Sequence, residues 1–285
     1  MNQLSKVISG PLWSARNWSA GEGAGSIHDD ETAETLGFRG GTVAADIHMN
    51  QFPPVLLKVF GGDWFERGHL SLNFKNATID RERVQVFAAP PDRSGALTRV
   101  WMEREDGMLV CEGTAAVESN EESALRSIDY RPCDPEELRI LRRVSPGMSL
   151  GQYDVLAKAD KQFGRYDNNL ISDPLSWYRH NSPWGGPIAA PCTVLEFLWG
   201  SAMKGLAPLV EEATSLFGAM EISFSKGPML MGESYHIEAS VVCVGQSPKT
   251  EYVWYEQKAF DSSSDLVVTL LIQSRAMKAS SPLYQ

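Results

Sequence analysis

Two stretches of the chain alternate apolar and polar residues in the same way. Leu70-Ser71-Leu72-Asn73-Phe74 does so strictly, and Met220-Glu221-Ile222-Ser223-Phe224 repeats the pattern. A period of two predicts β-strands with one face buried and the other turned to water or a neighbour. Each stretch is followed, eight or nine residues later, by a glutamate (Glu82, Glu233) that leads into another strand-like run. Next come TRVWME (98–103) and TEYVWYE (250–256), then MLVCEGTAAV (108–117) and DLVVTLLIQSRAM (265–277). Ahead of the strands, GFRGGTVAA (37–45) matches WGGPIAA (184–190). The partners keep their order at separations of about 145, 150 and 153 residues, the mark of a tandem duplication.

Each half thus reads as loop, short helix, glycine turn, longer helix and several strands. The first long helix is expected from about Thr42 to Phe60, with Pro53-Pro54 breaking or kinking it. Its counterpart runs from about Pro191 to Leu206. The expected division is residues 1–125 for one half, 126–150 for a connection and 151–285 for the other. Residues 118–150 are charged and strand-poor, with a helical piece expected from Pro135 to Arg143, and the acidic run at 119–122 is expected to be solvated.

Composition narrows the function more than the fold. Hydrophobic residues make up 43% of the 285, ordinary for a globular chain with its own core. The net charge of −10 disfavours nucleic acid as a partner. Cys111, Cys133, Cys192 and Cys243 are scattered, without CxxC spacing, and read as reduced thiols of a cytoplasmic protein. Neither a signal-peptide core nor an apolar run of membrane-spanning length stands out. No metal-ligand spacing, P-loop or dinucleotide fingerprint appears, so neither metal nor cofactor is expected.

A long helix behind a glycine turn and wrapped by an antiparallel sheet is the hotdog arrangement. An α+β tandem (double) hotdog is therefore expected. The words around the turns resemble the MaoC-like dehydratase/hydratase family. In that family a loop carrying Asp, four residues and then His leads to a short helix, a Gly-Phe, a turn and the central helix. Here Ile27-His28-Asp29-Asp30 leads to Ala33 and Gly37-Phe38, and Gly40-Gly41-Thr42 opens the helix. In the second half Asp167-Asn168-Asn169 leads to Asp173-Pro174 and then to Trp184-Gly185-Gly186-Pro187-Ile188-Ala189. The resemblance covers most of both halves.

The departures from that pattern fall on the chemistry. Gly23 stands where the family has its aspartate, and Ser172 where the second copy would have its histidine. The usual His-Gly near the start of the central helix is Ala44-Ala45. Each half keeps one member of the dyad. The resemblance implies His28 as acid–base group, with Asp29 or Asp30 capping the helix that follows. Asp46 and His48 come next, because a carboxylate on a central helix is costly unless it faces a polar cavity. Their spacing of two sets them roughly 200° apart, so only one is expected to face a given pocket. Asp167 is a weaker candidate, either a relic capping a turn or a catalytic group. Gly40, Gly41 and Thr42, with Trp184 and Gly186 in the second half, are expected to bind substrate. Their turns aim backbone N–H groups and a helix dipole forward, and Pro187 has no N–H to give, so the first turn is the better equipped. His180, with Tyr178 and Arg179, is a minor pocket candidate; His69, His236, Trp64, Phe65 and Trp184 also have structural readings. Arg39, Lys58, Arg67 and Arg81 are basic side chains suited to phosphate contacts.

The resemblance implies a lyase that adds or removes water beside a thioester or ketone. The split dyad leaves two alternatives: a thioesterase or isomerase/cyclase using Asp46, or a non-catalytic subunit. The expected ligand is a small molecule, a CoA thioester among the options, and the expected assembly a homo-oligomer.

Overall fold

The computed structural model describes residues 6–91, 93–117, 121–171 and 175–285. Ser172, Asp173, Pro174 and part of the acidic run at 119–122 lie outside the described residues. Within them, the first half supplies β1 (Ile8–Ser9), β2 (Trp13–Ser14), β3 (His69–Phe74), β4 (Arg83–Ala88), β5 (Thr98–Arg104) and β6 (Leu109–Ala116). The second supplies β7 (Ser149–Leu156), β8 (Ser215–Phe224), β9 (Ser234–Gln246), β10 (Thr250–Phe260) and β11 (Leu266–Met277). All pair antiparallel in one sheet of order β1-β4-β5-β6-β3-β8-β11-β10-β9-β7, with β2 beside β4.

That order reads the same from both ends, because β1 corresponds to β7, β4 to β9, β5 to β10, β6 to β11 and β3 to β8. The centre is the β3–β8 pair, where Ser71 lies opposite Glu221. These two are also repeat partners at an offset of 150, so a pseudo-twofold axis passes through that point. β1 and β7 were not anticipated from the alternation; β1 is only two residues long.

The helices are α1 (Asp30–Thr35), α2 (Ala45–Met49), α3 (Pro53–Phe60), α4 (Asp63–Arg67), α5 (Asp160–Asp167) and α6 (Pro191–Leu206). The helix expected over 42–60 is therefore two pieces. Pro53 and Pro54 lack the N–H groups that would continue α2, and their rings oppose the preceding turn, so the chain bends at 50–52 and restarts. α6 meets its expected bounds because its proline, Pro191, sits at the first position, where no N–H is missed. Both central helices pack on one sheet face, against Leu70, Leu72, Met220, Ile222, Leu270 and Ile272.

The other face is covered in the second half by the charged connection. Leu125, fully buried, sits with Ala219, Cys243, Trp254 and Leu271, joined by Ile128 and Tyr130. Two buried carboxylates hold this segment down. Glu221 accepts from Ser123 Oγ and, at 2.8 Å, from Arg126 Nε. Glu251 accepts from the backbone N–H groups of Arg139, Ile140 and Leu141. The helix expected at 135–143 is one 3₁₀ turn, Pro135–Glu137, because those N–H groups bond to Glu251 instead of to the segment itself. No helix of the described residues is long and apolar enough to cross a membrane.

Candidate active site

His28 is positioned by its immediate neighbours. Asp29 caps α1, accepting from Thr32 N at 2.9 Å and Thr32 Oγ1 at 2.8 Å. The Thr32 backbone N–H, then its hydroxyl, hold the Asp29 carboxyl below its ordinary pKa. Asp30 Oδ1 accepts from Gly41 N at 2.7 Å and so ties α1 to the glycine turn. A Cβ on Gly41 would lie 2.2 Å from the His28 carbonyl oxygen, so only glycine lets the two strands of this loop meet. The same carbonyl accepts from Asn17 Nδ2 at 2.8 Å.

The ring of His28 is fixed as well. Its Nδ1 lies 2.7 Å from the Thr42 carbonyl oxygen. A carbonyl only accepts, so Nδ1 carries the proton and donates it. In the neutral ring the lone pair is then on Nε2, on a half-buried side chain that lines a cavity of about 750 Å³.

This cavity lies between the two halves. The first half contributes Ser26–His28, Phe38, Thr42–Asp46, His48 and Phe74–Thr78. The second contributes Arg165 and a largely apolar wall of Leu195, Trp199, Met203, Leu206, Leu216 and Phe217. Asp46 and His48 both line it, contrary to the expectation from helical spacing. The angle argument assumes a continuous helix buried on one side, whereas α2 is five residues long and the cavity reaches around its start.

Asp46 is buried at 6% exposure and forms an ion pair with Arg165 Nη1 at 2.5 Å. Arg165 Nη2 stands 3.9 Å from Glu196 Oε2. His48 is 2% exposed, and burial, only partly offset by the charges of Asp46 and Glu82, pushes its pKa down to about 4. It is neutral near pH 7. Its Nε2 is 2.7 Å from Thr78 Oγ1, and its Nδ1 has no hydrogen-bond partner among the described residues.

Several of the other expected site residues lie outside this cavity. The N–H groups of the first turn are occupied within the chain: Gly41 donates to Asp30, Thr42 to Ile27 and Val43 to Thr78. They are not free for a substrate oxygen, and Gly40 and Gly41 do not line the cavity. Trp184 and Gly186 lie elsewhere. Trp184 Nε1 donates to Glu66 at 3.2 Å, and the Gly186 carbonyl accepts from Ser182. Asp167 is exposed, ion-paired to Arg179 and away from the cavity. His180, Arg39, Lys58, Arg67 and Arg81 are also absent from its wall; Arg39 is paired with Glu82. Arg165 and Thr78 were missed. Arg165 meets Asp46 across 119 residues of sequence, and no local pattern announces it.

The second half's counterpart of this region is filled. Thr42 N donates to Ile27 O, and in the same way Ile188 N donates to Trp177 O. This pairing makes Tyr178 the structural partner of His28. Tyr178 is 1% exposed, inside an aromatic cluster. Phe65 is the hub, with ring centroids 4.8 Å from Trp64, 5.8 Å from Phe224, 6.2 Å from Trp184 and 6.4 Å from Tyr178 and Trp177.

No protein-family model and no curated protein matches the chain. Solved structures do. A protein from Chloroflexus aurantiacus described as a MaoC domain dehydratase aligns at TM-score 0.64 and 9% identity, over 97% of this chain and 96% of its own. A conserved Mycobacterium tuberculosis protein with a double hotdog fold aligns at 0.61 and 11%, over 97% of both chains. A Lactobacillus plantarum protein described as an oleoyl thioesterase aligns at 0.51 and 9%, over 96% and 98%. These likenesses establish the α+β double hotdog fold.

Proposed function

We propose that this protein is a hydro-lyase of MaoC-like type that adds or removes water at a double bond conjugated to a thioester or related carbonyl, with His28 as the acid–base group. The observation that carries this reading is the tautomer lock. Nδ1–H donates to Thr42 O at 2.7 Å, which leaves the lone pair of the neutral ring on Nε2 of a side chain that lines a mostly apolar cavity. In hydration, Nε2 takes a proton from water as the oxygen attacks C3, and the imidazolium returns a proton to C2 of the enolate. Acid–base catalysis of this kind contributes roughly 10²- to 10⁴-fold.

The Asp46 ion pair weighs against the thioesterase alternative, since a carboxylate oxygen clamped by a guanidinium is a poorer nucleophile. Hydration is followed by loss of enoyl absorbance across a panel of 2-enoyl thioesters, both as CoA esters and as short pantetheine-like esters. His28→Ala is expected to lower kcat by roughly 10²- to 10⁴-fold with an unchanged circular dichroism spectrum. No turnover of any member by the native protein, or full turnover by His28→Ala, overturns the reading. Free-thiol release abolished by Asp46→Asn would favour the thioesterase.

A further inference from the structure

Hydration beside a carbonyl builds negative charge on the carbonyl oxygen, yet the turn's backbone donors at Gly41, Thr42 and Val43 already have partners. Apart from the N–H groups at the start of α2, where Ala44–Asp46 line the cavity, a side chain on the wall can supply the donor. Arg165, carried on α5 of the second half, lines the same cavity as His28. Its Nη1 is held by Asp46 at 2.5 Å, while its Nη2 is 3.9 Å from Glu196, beyond hydrogen-bond distance. The guanidinium is thus anchored through one nitrogen and keeps donor capacity at the other. The side chain is 18% exposed, so it is shielded from bulk water yet reachable from the cavity. Burial opposes its charge, but the neighbouring Cys192 sulfur and Asp46 carboxylate keep its pKa above the ordinary arginine value.

Resting on the hydro-lyase reading, we propose that Arg165 is a catalytic residue. Its Nη2–H donates to the substrate carbonyl oxygen and stabilises the enolate, so the working site is assembled from both halves. Asp46 is then a positioning residue and not a nucleophile. As water adds to C3, the C2=C3 electron pair moves into the enolate, whose oxygen accepts from Arg165. The pair returns to C2 when the His28 imidazolium gives back its proton. A fixed guanidinium suits this task better than an ammonium because its planar fork holds one acceptor while presenting donors to another.

The test uses the full chain and two readouts. The first is hydration kinetics. The second is the ultraviolet enolate band of bound S-acetoacetyl-N-acetylcysteamine, a thioester that cannot be hydrated, measured at a pH where the free probe is in the keto form. The native protein is expected to induce the band. Arg165→Met should abolish it and lower kcat by roughly 10²- to 10³-fold with KM little changed. Arg165→Lys should keep part of the band. Arg165→Met strands a buried carboxylate, so the double variant Asp46→Asn with Arg165→Met supplies a charge-balanced fold that should also lack the band. A native-strength band in either Met variant, or no band with the native protein, overturns the assignment. An Arg165-dependent band in a protein that hydrates no thioester would uphold Arg165 while the lyase reading fails. Hydration lost in His28→Ala but native in the Arg165 variants would do the reverse.

Discussion

The two ends of the pseudo-twofold sheet began as copies and now do opposite things. At one, the glycine turn, α2 and the end of β3 enclose a cavity with His28 on its wall. At the other, α4, the segment leading into the matching turn and the end of β8 bring together Phe65, Trp64, Trp177, Tyr178, Trp184 and Phe224. By the matched hydrogen bonds Thr42–Ile27 and Ile188–Trp177, Tyr178 corresponds to His28, while Phe65 on α4 packs at the closed end and Ser215 at the start of β8 lines the open one. A hydroxyl and an imidazole border the open end where a phenyl and a phenol fill the closed one. The lesson is a division of labour: one copy keeps room and a titratable ring, and the other gives up its room for packing.

The largest effect expected from disturbing this contrast is Phe65→Ala. Phe65 is fully buried, and truncating a buried aromatic costs about 3–5 kcal/mol. Denaturant unfolding should register that loss, while kcat at the His28 end stays at the native value. A change below 1 kcal/mol, in the ordinary range for a surface substitution, would mean the closed end is loosely packed and the comparison mistaken.

The converse change is Ser215→Phe, which puts an aromatic ring at the open end. Ser215 lines the cavity at the edge of β8, so the ring can enter without breaking the sheet. Loss of ligand space should act mainly on KM, raising it by about tenfold, which corresponds to about 1.4 kcal/mol of binding. An unchanged KM would show that substrate does not use this part of the cavity.

A smaller effect separates His48 from its counterpart Val194, four residues into the matching helix from N-caps Ala44 and Ala190. His48 has a folded pKa of about 4, against 6.5 when unperturbed. Between those values the unfolded chain binds a proton that the folded chain refuses. Stability is therefore full above 6.5 and falls as pH drops towards 4, by at most about 1.4 kcal/mol per pH unit from this group. His48→Gln should flatten that part of the profile. Parallel stability curves for the two proteins across this range would show that His48 is not the group responsible.

Much of the fold was legible because it rests on local patterns. The alternation around Leu70 and Met220 and the ordered repeats gave the strands, and Pro191 marked the start of α6. What was not legible depends on contacts between distant residues. The occupied N–H groups of Gly41 and Thr42 depend on Asp30 and Ile27 folding back. The Asp46–Arg165 pair joins two halves of the chain, and the true partner of His28 emerges from the Thr42–Ile27 and Ile188–Trp177 hydrogen bonds. His28 was singled out by its place in the loop ahead of Gly37-Phe38, a local motif; Arg165 was not, because its partner is on another helix.

The smallest expected effect concerns Asp167, the residue whose sequence context promised chemistry in the second half. Its side chain is 64% exposed and pairs with Arg179, whose guanidinium also stacks 3.9 Å over the Tyr166 ring. Exposed ion pairs of this kind are worth about 0–1 kcal/mol, and the stacking would hold Arg179 in place without the carboxylate. Asp167→Asn is expected to leave kcat and KM native and to shift unfolding by less than about 1 kcal/mol. A clear loss of turnover in this variant would place chemistry at the closed end and break the comparison at its root. Native kinetics, measured beside an inactive His28→Ala, would confine the reaction to the end where the first copy kept its histidine and the second lent its arginine.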